Sequence, residues 1–496
     1  MQHSSSTQTQ DVKHSIWMML GLSLSVLVAS LATSMINVAL PNLTLVFHSS
    51  MQQVQWIVTA YLLVITSLIV SLGRLGDLLG NRRLLLIGII IFTISSLAGA
   101  MANNLILLII SRVFQGLGAA IMLALSMALM SKSQAKAGRA MGLWGSVSAM
   151  GTALGPAIGG ISLSLYGWQS LFFIIVPFSI IAFCLLYLAL PSDPQIKTTL
   201  SEKEARSLPK KCGLSNAKKK GQFDLLGNLV LALSLSAFAL SMSLESSQFK
   251  GLDERLNIGL FVLALIGIWG FFNIEKRQER EHITPLIPSH IFNNMGFKIS
   301  FICSAITASI VMTCLVIGPY YLSITLALSA YQVGLVMSTG PLVVALSGVP
   351  AGRLSDKIGA KNMLLVGLCL MTLGCLLMSF NHQATGVMGY IFALVTITLG
   401  FSLFQVANSA DVMSQTNLQT KGVTSALLNL ARNLGFMTGA AFMGSIFFRF
   451  IGSQQLLLAS SDEVTYALHN TFLIAALFVF IGINFTLYSR VKPLIN

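Results

Sequence analysis

The sequence contains few charged residues, and acidic ones are especially scarce. Only 9% of its 496 residues are charged and 16 are Asp or Glu, whereas 55% are hydrophobic. A soluble domain carries about 25% charged residues, so lipid rather than water must surround this chain. In lipid the backbone polar groups have to be satisfied internally, which leaves helices or a closed barrel. The apolar runs are about 20 residues long rather than about 10, so they indicate transmembrane helices.

Residues that carry metal, redox or covalent chemistry are also sparse. The six cysteines are scattered, and no two of them have metal-ligand or CxxC spacing. Five of the six lie in apolar runs, where cysteine behaves as a small hydrophobic residue. The sequence shows no nucleophile–base set and no phosphate-binding loop. We therefore expect no disulfide, no metal, no cofactor and no enzymatic activity.

Fourteen apolar runs are long enough to cross a bilayer, which predicts an all-α polytopic membrane protein. They cover residues 16–40, 54–73, 84–102, 105–130, 140–162, 170–190, 224–244, 257–274, 298–323, 331–351, 362–380, 386–410, 422–447 and 468–489. The first run is too long for a signal-peptide core and has no cleavage site. The predicted organisation is a tail (1–15), a six-helix bundle (16–190), a basic linker (191–222), an inserted helix pair with its following loop (223–297), a second six-helix bundle (298–489) and a second tail (490–496).

The basic residues follow these boundaries. If the N-terminus is cytoplasmic, 25 of the 30 Lys and Arg residues fall in cytoplasmic segments and three fall outside. One miscounted span would invert every later segment, so the positive-inside rule supports fourteen spans. Topology and contact with lipid headgroups explain the net charge of +14, so we expect no nucleic-acid partner. We expect both termini to be cytoplasmic.

One short loop occurs twice in the chain. GRLGDLLGNR (Gly73–Arg82) recurs as GRLSDKIGAK (Gly352–Lys361), 279 residues further on. This repetition predicts two homologous six-span halves, with the inserted pair between them. The glycines permit a tight turn, and the acid caps the next helix or pairs with an arginine. A static turn and a latch that differs between two conformations both remain open. The candidate switch residues are Gly73, Arg74, Asp77, Gly80, Arg82, Gly352, Asp356 and Gly359.

The fifth run contains GTALGPAIGG, residues 151–160. Gly151, Gly155 and Gly159 share one helix face and let another helix approach closely. Pro156 has no N–H and frees a carbonyl, so a bend is expected there. Simple close packing is one interpretation. The density of glycine around a proline favours the other, a helix that flexes, and these four residues join the candidate switch.

Arg112 and Gln115 lie near one face of the fourth run, and Arg112 is about two turns inside it. An arginine at that depth is costly and needs a partner or a wet cavity. A purely structural arginine and an arginine on the transport pathway, where it would bind an anion or alternate with protonation, are both consistent with this position.

Asp411 remains once the acids in tails, loops, span ends and repeated loops are set aside, and it lies on the helix of the twelfth run, at its end. It shares a helix face with Asn408, and Arg432 lies in a second polar stripe on the next span. The two stripes suggest a shared wet cleft in which Asp411 and Arg432 pair and Asp411 carries a proton. Asp411 also lies near the cytoplasmic end of its span, so an interfacial position is the alternative.

These motifs together resemble the motif set of the major facilitator superfamily. The resemblance rests on the loop at 73–83, on Arg112-x-x-Gln115-Gly116, on the Gly-Pro run and on Asn37-Val38-Ala39-Leu40-Pro41. The span count, the inserted pair and the pattern Gly422…Arg432…Gly435 are similar to those of its 14-spanner drug–proton antiporter family, the EmrB/QacA type. The resemblance implies proton-driven export by alternating access, in a bacterial inner membrane. It adds Asn37 to the candidate substrate and proton pathway of Arg112, Gln115, Asn408, Asp411 and Arg432.

One position departs from that family. Five residues before Asn37 the family usually has an aspartate, whereas this chain has Ala32. A methyl group cannot carry a proton. Either another group couples protons, or the energetics or the substrate charge differ from those of the family.

The leading hypothesis is a secondary exporter of small amphiphilic compounds, coupled to protons. Its partners would be the amphiphilic substrate, protons, membrane lipid and a periplasmic adaptor. An exporter of an endogenous metabolite, a siderophore or an anionic compound is the first alternative, because the missing acid is the group that would most attract a cation. A non-transporting membrane receptor or assembly protein is an alternative of another class.

Overall fold

The computed structural model describes residues 3–133, 137–190, 225–243, 252–280, 294–416, 421–452 and 459–491. Within these ranges all regular structure is helical. The predicted linker 191–222 lies outside the described residues, as do Cys212 and residues 492–496 of the second tail.

The first half consists of eight helices. They are α1 (His3–Met35), α2 (Leu40–Val46), α3 (Met51–Leu79), α4 (Asn81–Ala100), α5 (Leu105–Ser133), α6 (Ala137–Tyr166), α7 (Ser170–Phe173) and α8 (Ile175–Ala189). Helix α1 thus begins within the segment predicted to be a tail. A 3-10 turn, Ile36–Ala39, joins α1 to α2, and the three elements form one apolar span, Ile16–Val46. Pro41, in the first turn of α2, has no N–H to donate to the preceding turn.

The second half consists of seven helices and two π-helical turns. The helices are α11 (Met295–Tyr320), α12 (Ala330–Ile358), α13 (Ala360–Ser379), α14 (Gly386–Ser414), α15 (Lys421–Thr438), α16 (Gly444–Ile451) and α17 (Ser461–Val491). One π-helical turn, Tyr321–Thr325, extends α11, and the other, Gly439–Met443, joins α15 to α16. Both halves are therefore built from six spans in the same order.

Two further helices, α9 (Leu225–Ser243) and α10 (Leu252–Arg280), lie between the halves in sequence. They pack on each other, and α9 also contacts α3 of the first half and the π-helical turn Gly439–Met443 of the second. Thirteen helical stretches of the described residues are long and apolar enough to cross a membrane. The apolar part of α9, Leu229–Ser241, is shorter than these thirteen.

The backbone repeats the duplication that the loop sequences indicate. Ser50 caps α3 and Ser329 caps α12, in each case through a capping box with the glutamine three residues further on. Both helices end at a glycine with positive φ, Gly80 at 98° and Gly359 at 84°. Only glycine adopts such angles without strain. These pairs are 279 residues apart, the same offset as the loops.

The predicted glycine-rich turn is shorter than expected. Gly80 alone makes the turn, because it alone of the three glycines in the first loop has positive φ, and α3 continues to Leu79. Gly73 and Gly76 therefore lie inside α3. A Cβ on Gly76 would collide with Leu125 of α5, so this glycine serves close packing rather than turning. The side chains of Arg74 and Asp77 lie outside the described part of the structure.

The halves have two ends, which we name by their turns. The loop face carries Gly80 and Gly359, and the opposite face carries the turns that precede the capping residues Ser50 and Ser329. On the opposite face, α6 and α12 make the most extensive packing contact between the halves. A Cβ on Gly334 of α12 would lie 2.8 Å from the Cα of Gly160 on α6 and closer still to the carbonyl oxygen of Pro156. The two backbones thus touch directly.

Candidate functional site

Arg112 is the largest fully buried side chain of the described residues, with 1% exposure. Its Nε donates to the carbonyl of Ile57 on α3 over 3.0 Å, and its Nη2 donates to the carbonyl of Ala32 on α1 over 3.3 Å. Its Nη1 donates to Oε1 of Gln115. The guanidinium carbon lies 4.0 Å from the centre of the Tyr61 ring, a cation–π geometry. Arg112 therefore ties its own helix to α1 and α3.

The network around Arg112 continues through its partners. Gln115 donates from Nε2 to Oγ of Ser96 on α4 over 2.8 Å. The Tyr61 hydroxyl donates to the carbonyl of Ala29 over 2.9 Å, and the Thr33 hydroxyl lies 3.4 Å from it. No carboxylate of the described residues is a partner of Arg112. Two backbone carbonyls and the face of the Tyr61 ring stabilise its charge. These contacts indicate that Arg112 is a structural clamp, which joins helices of the first half.

Ala32 is 1% exposed, and its carbonyl faces the guanidinium. The position at which the resemblance to the 14-spanner antiporters leads us to expect an acid therefore lies beside Arg112 in the folded protein. With Ala32 in place of an acid, Arg112 bonds to the backbone carbonyl at this position.

Asn37 is completely buried in the 3-10 turn between α1 and α2. Its Nδ2 donates to the carbonyls of Thr33 and Ser34 over 3.2 Å and 3.1 Å, while its Oδ1 has no hydrogen-bond partner among the described residues. These bonds within α1 account for the local break in the α-helical pattern, since the side chain competes for carbonyls that the next turn would use.

Asn408 is buried, and its hydrogen bonds join two helices of the second half. Its Nδ2 donates to Oγ of Ser304 over 2.8 Å and lies 3.4 Å from the carbonyl of Ser300, both on α11. The structure therefore places Asn408 at the packing contact between α14 and α11, away from Arg112.

Asp411 and Arg432 have different partners in the structure. Asp411 is half-buried near the end of α14, accepts a hydrogen bond from Gln415 Nε2 over 3.0 Å and lines an open pocket formed with residues 359–362 of the second repeated loop. Arg432 donates from Nη2 to Oδ1 of Asn429 over 2.9 Å. Asp411 thus lies at the loop face, as in the interfacial interpretation, and not in an ion pair with Arg432.

Arg432 and Asn429 lie where α15 meets the first half. Nδ2 of Asn429 is 3.5 Å from the sulfur of Met127 on α5. Towards the opposite face, the same span approaches α3, where Gly444 packs on the side chain of Gln55. The stripe on this span therefore faces the other half, as a cleft between the halves requires.

The candidate switch residues fall into two groups. Gly151, Gly155 and Gly159 pack on α1 within the same half, where a Cβ would lie 2.6 Å from the carbonyl oxygen of Leu27, 2.9 Å from Cβ of Ser34 and 2.7 Å from the carbonyl oxygen of Met35, respectively. All three glycines thus allow the close approach of α1 and α6, and their role in a conformational switch stays a prediction. Helix α6 continues through Pro156, and the next glycine along it, Gly160, meets the second half.

Among the residues of the repeated loops, Arg82 contacts a neighbouring helix. Arg82 donates from Nη2 to the carbonyl of Tyr187 over 2.8 Å, at the C-terminal end of α8, and its guanidinium carbon lies 5.5 Å from the centre of the Tyr187 ring. It thus interacts with the negative end of that helix. Gly352 has nothing within 4 Å of a Cβ, and Asp356 is exposed.

Three polar residues of interest were not among the candidates. Gln55 and Thr59, on α3, are 2% and 1% exposed, and neither amide atom of Gln55 nor the Thr59 hydroxyl has a partner among the described residues. Their spacing of four residues was the available signal. Glu275 was assigned to a loop, but it lies within α10 and is 1% exposed. The membrane-length apolar stretch continues to Arg277, three residues past the predicted end at 274, where charged residues begin.

Comparison with known proteins agrees with this architecture. The sequence model of the Major Facilitator Superfamily matches residues 22–274 and 299–495. The riboflavin transporter RibZ of Clostridioides difficile is 31% identical over 95% of this chain and 96% of its own length. The drug efflux pump JefA of Mycobacterium tuberculosis is 27% identical over 88% of this chain and 80% of its own length. A bacterial homologue of the lysosomal transporter Spinster, solved inward-facing and unoccupied, shares the fold with a TM-score of 0.66 at 14% identity, covering 96% of this chain and 97% of that one.

Proposed function

Because this chain belongs to the Major Facilitator Superfamily, we propose that it is a secondary transporter that exports a small amphiphilic compound by alternating access. The two halves would rock about a site between them, near the middle of the membrane. The drug efflux pumps among its relatives support export, and the Gly-Pro run supports it further.

The contact between Gly160 and Gly334 is the observation that carries this proposal. It lies on the helix with the Gly-Pro run, and it joins the two halves through backbone atoms alone. Such a contact can separate and re-form as a unit, because no interlocking side chains have to leave their rotamers. It closes the opposite face in this structure. We propose that transport requires it to open.

The topology that goes with this function is the 14-spanner arrangement. We propose that α9 is the fourteenth span and that α9 and α10 are an inserted pair. The contacts of α9 with both halves support a position beside their interface. We further propose that the loop face is cytoplasmic, that both termini lie there and that the membrane is a bacterial inner membrane, in line with the charge distribution.

Protons are the proposed coupling ion, although Ala32 replaces the family's usual acid. The candidate pathway runs through Asn37, the Arg112–Gln115 network and the stripe with Arg432. Glu275, which is buried within the protein, is a second candidate group for proton transfer, and we favour it over Asp411, which lines an open pocket.

Transport of an endogenous metabolite is the second candidate, and two observations favour it. The relative RibZ matches nearly the whole chain, and its name gives riboflavin as the substrate. Ala32 removes the negative charge that would attract a cationic drug. Under this candidate the compound would be an uncharged heteroaromatic molecule such as riboflavin.

The test is transport by the purified protein in proteoliposomes, with riboflavin and a panel of cationic dyes as substrates and an internal pH dye as the proton probe. Flux driven by an imposed pH gradient supports a proton-coupled transporter. A pair of cysteines on α6 and α12 that flank the Gly160–Gly334 contact, at positions with room for a side chain, tests the mechanism, because a Cβ on either glycine itself would collide with the facing backbone. Cross-linking this pair should stop flux, and reduction should restore it. Undiminished flux in the cross-linked protein would contradict alternating access at this contact.

A further inference from the structure

Among the buried polar groups of the first half, Gln55, the Thr59 hydroxyl and Oδ1 of Asn37 lack hydrogen-bond partners among the described residues, and they lie within about 10 Å of one another along the helix axes. Arg112 bonds to both Ala32 and Ile57, so these two residues mark one level on α1 and α3. From that level Gln55 is two residues and Asn37 five residues nearer the opposite face, or about 3 Å and about 7–8 Å at 1.5 Å per residue. Thr59 lies two residues on the other side of it.

The relevant face of α3 points to the second half. Gln55 and Thr59 share a face because they are four residues apart. The Gln55 amide packs against Gly444, where a Cβ would lie 2.9 Å from Cδ and 3.2 Å from Oε1. Ile57 and Tyr61 lie on the other side, towards α5, where Gly116 approaches the Tyr61 backbone. Gln55 is therefore enclosed only when the two halves meet at the opposite face.

Burying these groups without partners has a cost that the fold does not recover. The described residues offer no hydrogen bond to either amide atom of Gln55, to the Thr59 hydroxyl or to Oδ1 of Asn37. A neighbouring threonine shows the contrast. Thr66 is on the same face of α3 and is also fully buried, but its hydroxyl donates to the carbonyl of Leu62 over 2.6 Å. Buried polar groups in proteins are normally paired, so unpaired ones facing a mobile interface indicate a ligand.

The unpaired atoms define the chemistry of that ligand. They comprise a carboxamide with donors and an acceptor, a hydroxyl and one further acceptor, and all are uncharged. No described carboxylate accompanies them, and each guanidinium nitrogen of Arg112 already donates to a protein acceptor. A charged ligand group would be desolvated here without a counter-charge, which is costly.

We propose that Gln55, Thr59 and Asn37 form a polar subsite that binds an uncharged hydrogen-bonding group of the transported compound, such as an imide, an amide or a hydroxyl. The inference rests on the proposed transport function and specifies its substrate class. The subsite opens when α3 separates from the span of Gly444. The ligand then supplies the bonds that the protein lacks.

The experiment compares Gln55→Leu and Thr59→Val with the matched control Thr66→Val. The probes are riboflavin, which carries an uncharged imide and hydroxyls, and tetraphenylphosphonium, which has no hydrogen-bonding group. In proteoliposomes, Gln55→Leu should raise the KM for riboflavin roughly tenfold and Thr59→Val several-fold, in line with the loss of buried hydrogen bonds. Thr66→Val should leave it unchanged, and the KM for tetraphenylphosphonium should not move in any variant.

Thermal unfolding in detergent separates binding from a structural role. Removing an unpaired buried amide should raise the melting temperature of the ligand-free protein, so Gln55→Leu should be more stable and yet bind riboflavin more weakly. A lower melting temperature, or a riboflavin KM within twofold of the wild-type value, would overturn the subsite. Flux of tetraphenylphosphonium but not riboflavin would also overturn it and leave the transporter proposal intact. Flux of neither probe would contradict the transporter proposal itself.

Discussion

The guanidinium of Arg112 donates to the backbone carbonyl of Ala32, across the contact between α5 and α1. A buried arginine thus faces the one position at which this chain lacks an expected acid. Without an acid at position 32, the positive charge of Arg112 is stabilised by hydrogen bonds and ring contacts within the first half.

Arg112→Lys should destabilise the protein. Lysine retains the charge but cannot reach Ile57, Ala32 and Gln115 at once, since its single ammonium lacks the planar fork. Each buried acceptor left unpaired costs about 1–3 kcal/mol. We expect the melting temperature in detergent to fall by several degrees. The exposed Arg353 supplies the control, and Arg353→Lys should melt like the wild type. Equal melting of both variants would refute the clamp.

Ala32→Asp should be tolerated only while Arg112 is present. The new carboxylate would lie beside the guanidinium and form a buried ion pair. In Ala32→Asp with Arg112→Ala the acid would be buried without a partner, which costs about 3–5 kcal/mol. The folded yield by fluorescence-detected gel filtration should therefore drop far more in the double variant than the two single changes predict. Additive losses would show that the two positions do not communicate.

Gly334→Leu should stop transport by holding the opposite face apart. The side chain would occupy the space now taken by the backbone of Gly160 and Pro156. Gly348, on the same helix, has nothing within 4 Å of a Cβ, so Gly348→Leu is the matched control and should transport normally. Cysteine labelling from the opposite face should increase in the first variant alone. Normal flux in Gly334→Leu would exclude this contact as a gate.

Gly444→Ala should impair closure at the α3 contact, and shortening Gln55 should compensate. The added methyl would overlap the Gln55 amide. In Gly444→Ala with Gln55→Ala that space is free again, so the rate of tetraphenylphosphonium transport, which does not depend on the Gln55 amide, should recover relative to Gly444→Ala alone. If the double variant is slower than either single one, the two residues do not share this space.

Glu275→Gln and Asp411→Asn test the coupling group. Glu275 is buried within α10, whereas Asp411 lines an open pocket beside the second repeated loop. We expect Glu275→Gln to uncouple substrate flux from proton movement, measured with an internal pH dye, and Asp411→Asn to retain coupling. Loss of coupling in Asp411→Asn would support the hypothesis from the sequence that Asp411 carries the coupled proton. Retained coupling in Glu275→Gln would exclude Glu275 as the coupling group.

The parts of the architecture that follow from local chemistry could be predicted from the sequence. Hydrophobic runs locate the helices, because lipid requires internal backbone bonding wherever the chain crosses it. The repeated loop at Gly73 and Gly352 indicated two halves, and the helix-ending glycines Gly80 and Gly359 lie at equivalent places. The extent of the turn was misjudged, because composition alone does not show which glycine adopts positive φ.

The partners of several polar groups could not be predicted from the sequence, because they lie on segments that are distant along the chain. Arg112 was recognisable from its depth, but its partners come from α1 and α3. Asp411 and Arg432 have favourable spacing on adjacent spans, yet Asp411 bonds to Gln415 and Arg432 donates to Asn429.

The sequence by itself determined that this is a duplicated helical membrane protein, since hydrophobicity and repetition are written along the chain. Only the tertiary structure decided which buried polar groups are satisfied. Gln55 and Thr66 look alike in sequence, as polar residues on one face of one helix. The first packs its amide against the other half of the molecule, and the second bonds to the carbonyl one turn away.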